Sequence, residues 1–385
     1  MPKNIVICCD GTGNEFGDAN SNVVKLYSVL DLSDLSKQVA YYHPGVGTMG
    51  SPQALLRITR WLTRMLGMGF GYGLTANIDE AYTFLMNEYE LNDRVFVFGF
   101  SRGSYTARAL CGMIHKFGLI SKGNEGLVAY AARMYRYAPE DQAIAAKFKQ
   151  TFSRPCCPAF LGVWDTVSSV GWITDPVHLP YTASNPDLKT VRHAISIDER
   201  RCFYRQNLIT PWHGAVPPQD VQQVWFAGVH SDIGGSYDEP PTGGLRLPRI
   251  TLRWMLGEAK DAGLLVDDQK VQAVLDSATA PLQLDPKFEP HKSLKGWWWL
   301  LEFLPHRYKV QLRNEAGQPV LDAGGRPVWK TRWRIAPGKW RTIADGACIH
   351  ASVPTLQKSG YAPPNLPAQF TVVPDGATAR QLPPP

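Results

Sequence analysis

Gly99-Phe100-Ser101-Arg102-Gly103 sets a serine between two glycines, with an apolar run before it and a helical pattern after it. A serine hydroxyl becomes a useful nucleophile only where a base takes its proton and where donors wait for the negative charge its attack creates. The G-x-S-x-G spacing serves this purpose when it joins a strand to a helix. Glycines at 99 and 103 then let strand and helix approach closely, and the turn holds the hydroxyl clear of the backbone. The N–H of Arg102 falls at the helix start, where the dipole favours an oxyanion. Acyl transfer from an ester to Ser101 is the chemistry this pattern predicts.

Such chemistry needs a histidine and a carboxylate to orient it, following the serine in the order acid, then histidine. Leu161-Gly162-Val163-Trp164 ends in Asp165, and Val224-Trp225-Phe226-Ala227-Gly228-Val229 ends in His230-Ser231-Asp232. Both runs read as strands, so Ser101, Asp165 and His230 all fall at carboxyl ends of predicted strands. His350 competes as the base because histidines of this chemistry often come late, but no convincing strand precedes it. His43, His115, His178, His193, His213, His291 and His306 lack the strand-end setting and read as structural or exposed.

The loop Asp10-Gly11-Thr12-Gly13-Asn14 also follows a strand. The backbone N–H of Gly11 or Thr12 is the expected second oxyanion donor, beside that of Arg102. Asp10 is expected to fix this loop by accepting hydrogen bonds. Gly99, Gly103 and Asp232 complete the supporting set.

These positions need a scaffold. Residues 5–9, 38–42, 94–100, 158–164 and 221–229 read as strands, and 22–30, 75–89, 104–117, 125–137 and 252–262 as helices. The alternation predicts an α/β fold with a mostly parallel sheet and helices on both faces, ligands binding beyond the carboxyl ends of its strands. Residues 1–280 are expected to form this core, 281–360 an aromatic-rich extension packed on it, and 361–385 a Pro-rich tail. Within the extension Trp297, Trp298 and Trp299 lie between basic residues, a composition that suits either a lipid interface or a cover over the core.

Composition narrows the classes. Of the 385 residues 44% are hydrophobic and 19% charged, enough for a large core, and the net charge of +6 is dispersed without a nucleic-acid-binding run. The seven cysteines show neither zinc nor dithiol spacing and read as reduced, mostly buried thiols. No cofactor and no resident metal are expected. No signal peptide is read at the N-terminus, so a cytoplasmic protein is expected, with export by a dedicated secretion system as the route outward.

The blocks Cys9-Asp10-Gly11-Thr12-Gly13-Asn14, residues 99–108 around Ser101, Gly162-Val163-Trp164-Asp165-Thr166-Val167 and Val229-His230-Ser231-Asp232-Ile233-Gly234-Gly235 together resemble one family. It is the α/β-hydrolase domain of unknown function that includes the phospholipase effectors of bacterial type VI secretion. The likeness covers about residues 3–263, with a further late match at 349–353. It implies Ser101, Asp165 and His230 as the triad, favours His230 over His350, and implies hydrolysis of phospholipid acyl esters. Two other classes compete. Asp10-Gly11-Thr12 resembles a haloacid-dehalogenase phosphatase, although Cys8 stands where that family has its nucleophilic aspartate; a metal-dependent phosphohydrolase would draw on Asp10, Asp165, His230 and Asp232. A membrane-surface or partner-binding module with a degenerate core is the other.

Overall fold

A computed structural model describes residues 2–11, 17, 19–45, 70–138, 141–167, 171–172, 175–176, 179–212, 217–237, 247–275, 290–296, 298–303, 306–312, 314, 320, 329–335 and 337–374. Eight strands form one sheet: β1 Asn4–Cys9, β2 Gln38–His43, β3 Arg94–Phe100, β4 Phe160–Trp164, β5 Thr190–Ser196, β6 Asp220–Phe226, β7 Ala347–His350 and β8 Phe370–Val373. Their order across the sheet is β8-β7-β6-β5-β4-β3-β1-β2, and every neighbouring pair is parallel.

Strand residues alternate between two cores because successive side chains point to opposite faces. Ile5, Ile7, Val95, Val97, Leu161 and Val163 pack on one side, with Tyr82 and Leu85 of α2 (Phe70–Glu88) and Leu110 and Ile114 of α3 (Arg102–Phe117). Helices α4 (Gly126–Tyr137) and α5 (Gln142–Phe152) extend this layer. Val6, Cys8, Phe96, Phe98, Phe160 and Trp164 pack on the other side, with Leu26 of α1 (Asn22–Ser28) and Trp254 of α7 (Leu247–Asp261). Between them in sequence lies α6 (His230–Gly234). The predicted α/β architecture with helices on both faces is thus present.

The sheet does not end at residue 280. β7 and β8 extend it past β6, with Ile349 and Val373 wholly buried. Each is only four residues long, too short for periodicity to reveal, and β7 pairs with β6, a strand distant in sequence. The segment after 280 is therefore partly sheet and not only a cover. Residues 361–373 of the expected tail lead into β8; residues 375–385 lie outside the described residues. All seven cysteines are free thiols, five of them buried.

Strand order reverses at β1: the chain goes outward to β2, then returns to β1's other side as β3. Carboxyl ends of parallel strands diverge at such a switch point and leave a crevice. Asp10 leaves β1 there and Ser101 leaves β3.

Candidate active site

Ser101 joins β3 to α3 with φ 59° and ψ −119°, a backbone conformation costly for any residue with a side chain. The turn is held by its neighbours. The Ser101 N–H donates to the Trp164 carbonyl at 3.0 Å, and the Ser104 Oγ lies 2.8 Å from the carbonyl oxygens of both Gly99 and Trp164. The flanking glycines are a steric requirement. A Cβ on Gly99 would lie 2.5 Å from the Gly103 carbonyl oxygen, and one on Gly103 would collide with the carbonyls of Cys9 and Asp10.

Asp165 leaves β4 with φ 41°, and His230 opens α6 beyond β6. These ends meet. His230 Nε2 lies 2.8 Å from Ser101 Oγ, and His230 Nδ1 lies 2.6 Å from Asp165 Oδ2. A carboxylate only accepts, so the neutral ring carries its proton on Nδ1 and offers Nε2 to the serine hydroxyl. Ser101, Asp165 and His230 are 7%, 0% and 4% exposed, which keeps water from competing for these bonds. The imidazole is wedged between Phe100, stacked at 4.8 Å, and the edge of Tyr204 at 4.7 Å. Burial holds its pKa below the ordinary value, against the upward pull of the Asp165 hydrogen bond and charge.

The supporting residues divide. Asp10 accepts from the Gly11 N–H at 2.6 Å, the Ser21 hydroxyl at 2.6 Å and the Tyr42 hydroxyl at 2.9 Å, tying the first loop to α1 and β2. The Gly11 N–H, expected as an oxyanion donor, here donates to Asp10. Thr12 lies outside the described residues. Arg102 occupies the first position of α3, the place expected for a donor. Asp232 accepts from the Val229 N–H at 2.9 Å and pairs with His291 Nδ1 at 2.6 Å, so it closes the turn that carries His230.

His350 ends β7, a strand after all, but stays outside this row. Its ring stacks on Phe226 at 4.5 Å, its Nδ1 faces the Ser352 hydroxyl at 3.0 Å, and burial pushes its pKa down to about 3. Cys8 is buried within β1, where burial raises its thiol pKa well above the usual value. Among the described residues no group of three or more His, Cys, Asp or Glu side chains is arranged to hold a metal ion, so Asp10, Asp165, His230 and Asp232 do not assemble into one.

Two contributors were not anticipated. Glu199, fully buried after β5, accepts the His230 backbone N–H at 3.2 Å and pairs with Arg201 Nη2 at 2.8 Å. Burial raises its carboxyl pKa, but Arg201 more than reverses this and holds it at about 2. Recognition of β5 as a strand would have drawn attention to Glu199, just past its end. Arg341 is the other. It reaches Asp165 from 176 residues further along the chain, and no local pattern announces it.

A model of the family described as "T6SS, Phospholipase effector Tle1-like, catalytic domain" matches residues 3–258, more than half of the 385-residue chain. This chain belongs to that family. A curated relative, the uncharacterized protein YEL023C of Saccharomyces cerevisiae, is 39% identical over 226 residues, covering 54% of this chain and 33% of the yeast protein. Two solved structures are more distant. An uncharacterized protein from Pseudomonas aeruginosa has 20% identity and a TM-score of 0.41, covering 70% of this chain and 47% of that one. The Tle1 effector bound to the VgrG spike from the type VI secretion system has 17% identity and a TM-score of 0.35, covering 82% and 65%. The chain thus spans a third of the yeast relative's length and less than two thirds of either solved chain.

Proposed function

We propose that this family member hydrolyses carboxylic esters of lipids through a covalent acyl-enzyme on Ser101. The row Ser101 Oγ, His230 Nε2, His230 Nδ1, Asp165 Oδ2, with its gaps of 2.8 and 2.6 Å, carries the reading. Ser101 Oγ attacks the acyl carbonyl as its proton passes to His230 Nε2. The oxyanion forms beside the Arg102 N–H at the start of α3. The tetrahedral intermediate then collapses, and the imidazolium returns its proton to the departing alcohol. Water, deprotonated by the same nitrogen, releases the acid and restores Ser101.

Turnover of a short-chain nitrophenyl ester and fatty-acid release from phospholipid vesicles test this, each with and without EDTA and after fluorophosphonate treatment. Both activities should survive the chelator and disappear with the phosphonate. Chelator-sensitive, phosphonate-resistant activity would instead favour the metal-dependent phosphohydrolase.

Lipid is the substrate class we infer, from the family and from a short helix beside the site. In α8 (Trp298–Glu302), Trp298 packs edge-on to Tyr204 at 5.7 Å and beneath the Arg201 guanidinium at 4.6 Å. Glu302 is wholly buried and accepts the Cys202 N–H at 2.6 Å and the Gly338 N–H at 3.0 Å. Around the same helix Trp299, Leu300 and Phe303 are 41%, 59% and 57% exposed, with exposed Lys292 and Lys295 nearby in sequence. Trp297 lies outside the described residues. Tryptophan favours the head-group level of a bilayer, and each basic residue near an anionic surface adds about 1 kcal/mol. Replacing Trp299, Leu300 and Phe303 together by alanine is expected to weaken binding to anionic vesicles at least tenfold, with soluble-ester turnover nearly unchanged. Trp298→Ala should instead lower the melting temperature and slow every substrate, because it removes a neighbour of Tyr204. Vesicle co-sedimentation beside thermal melts separates the two; undiminished vesicle binding by the triple variant would retire the lipid interface.

A further inference from the structure

Asp165 has a second partner, and this one carries the opposite charge. Arg341 lies between the Trp329–Arg334 strand and β7, and like Asp165 its side chain is wholly buried. Its Nη1 donates to Asp165 Oδ1 at 2.6 Å and its Nη2 to Oδ2 at 3.0 Å, a fork across both oxygens. Oδ1 also accepts the Ser196 N–H at 2.9 Å, and Oδ2 faces His230 Nδ1. Each carboxylate oxygen is thereby filled twice, and the carboxylate cannot rotate. Arg341 is itself held by the carbonyls of Ser196, at 3.1 Å, and Tyr204.

The charge is as consequential as the geometry. A buried carboxylate without a counter-charge would take a proton or draw one strongly onto the imidazole beside it. Other charged and titratable groups facing the pair are Glu199 and Arg201 from the loop after β5, Tyr204 from the short turn beyond it, and His193 of β5, whose Nε2 accepts the Thr166 N–H at 3.2 Å. Glu199 and Arg201 offset one another, so among the described residues Arg341 is the cation that balances Asp165.

We propose that Arg341 is a positioning residue for this reaction, fixing the Asp165 carboxylate in register with His230 and setting the proton affinity of the His230–Asp165 pair so that the base stays neutral in mildly acidic solution. This rests on the ester-hydrolase reading of Ser101 and His230. It also gives the C-terminal segment a part in the chemistry, because Arg341 lies beyond the residues 3–258 that the family model matches. A guanidinium that balances Asp165 lowers the pair's affinity for a proton, whichever atom takes it, and extends activity downward in pH. The same balance leaves Asp165 less charge with which to stabilise the imidazolium formed during turnover.

The test is the pH profile of kcat/KM on a soluble ester for the full chain and for Arg341→Met and Arg341→Lys. The wild-type acid limb is expected below the ordinary imidazole value of about 6.5. Arg341→Met should lower the plateau by about one to three orders of magnitude and move the acid limb up by about one pH unit or more. Arg341→Lys keeps the charge and loses the fork, so its plateau should fall about tenfold or more while its limb stays in place. A Met variant with an unmoved limb overturns the proposal even if its rate is low, since loss of packing alone changes amplitude and not proton affinity. If the Met variant does not fold, the lysine variant decides: a full plateau, or a displaced limb, overturns the assignment. Activity that persists in Ser101→Ala would overturn the underlying reading instead, whereas Ser101-dependent activity with normal Arg341 variants overturns only this inference.

Discussion

Replacing Ser101 by alanine is expected to lower kcat by about four to six orders of magnitude and to abolish covalent labelling by a fluorophosphonate. The reagent selects a serine whose hydroxyl is both presented and deprotonated by a base. Ser101 meets both conditions: the elbow with φ 59° turns the hydroxyl out of β3, and His230 Nε2 waits at 2.8 Å. Ser104, three residues on, shows the contrast. It is wholly buried, where Ser101 keeps a small exposure, and its hydroxyl is committed to the Gly99 and Trp164 carbonyls. Residual turnover in the alanine variant should reflect binding and the oxyanion donors alone. Mapping by peptide mass should place one adduct on Ser101; an adduct on any other serine removes it as the nucleophile.

His230→Ala should lose nearly as much rate as Ser101→Ala, and the double variant should be little worse than either single one. Groups that act as one unit in a transition state are not additive. The imidazole must take the serine proton onto Nε2 while Asp165 holds Nδ1, and nothing else in the row can do this. His350→Ala should behave differently. Its ring packs on Phe226 and its Nδ1 meets Ser352, so the change removes core contacts at the end of β7 and should lower the melting temperature by several degrees. Below that temperature the remaining protein should turn over ester at a rate within about tenfold of wild type. An inactive but fully folded His350→Ala, beside an active His230→Ala, would reverse the two histidines.

The parts of the fold that were legible in the sequence are those whose pattern is local. Val95-Phe96-Val97-Phe98 is buried on both faces and reads as a central strand at sight, and Ile78, Ala81, Tyr82 and Leu85 mark the inner side of α2 by helical spacing. β5 was missed because Arg192 and His193 interrupt its apolar run, although it lies in the middle of the sheet. Those polar groups are acceptable there only through distant partners: Arg192 pairs with Asp220 and Glu258, and His193 faces Gln223. α5 escaped for the opposite reason, since only Ala145 and Phe148 of its residues are buried. The same division holds at the site. Ser101 is announced by five consecutive residues, and Asp165 and His230 by strand ends together with family likeness. Arg341 is announced by nothing near it, because its role exists only once Asp165 is folded beside it.

The wholly parallel order of the main sheet has a consequence for how the chain reaches this state. Parallel neighbours cannot be joined by a tight hairpin, so every pairing waits for a crossover: Asn4 of β1 must find Gln38 on one side and Arg94 on the other. Chain closure entropy is met before the pairing rewards it, which makes such sheets slow to assemble. Refolding from denaturant, followed through the fluorescence of the 12 tryptophans, is therefore expected to take seconds or longer and to show more than one phase. As the chain emerges from the ribosome, β6 stands as an open edge until Ala347–His350 has been made and paired. An unpaired edge is a template for another chain. Aggregation is thus expected to rise in chains truncated after β6 and before β7, measured by sedimentation of the released chains.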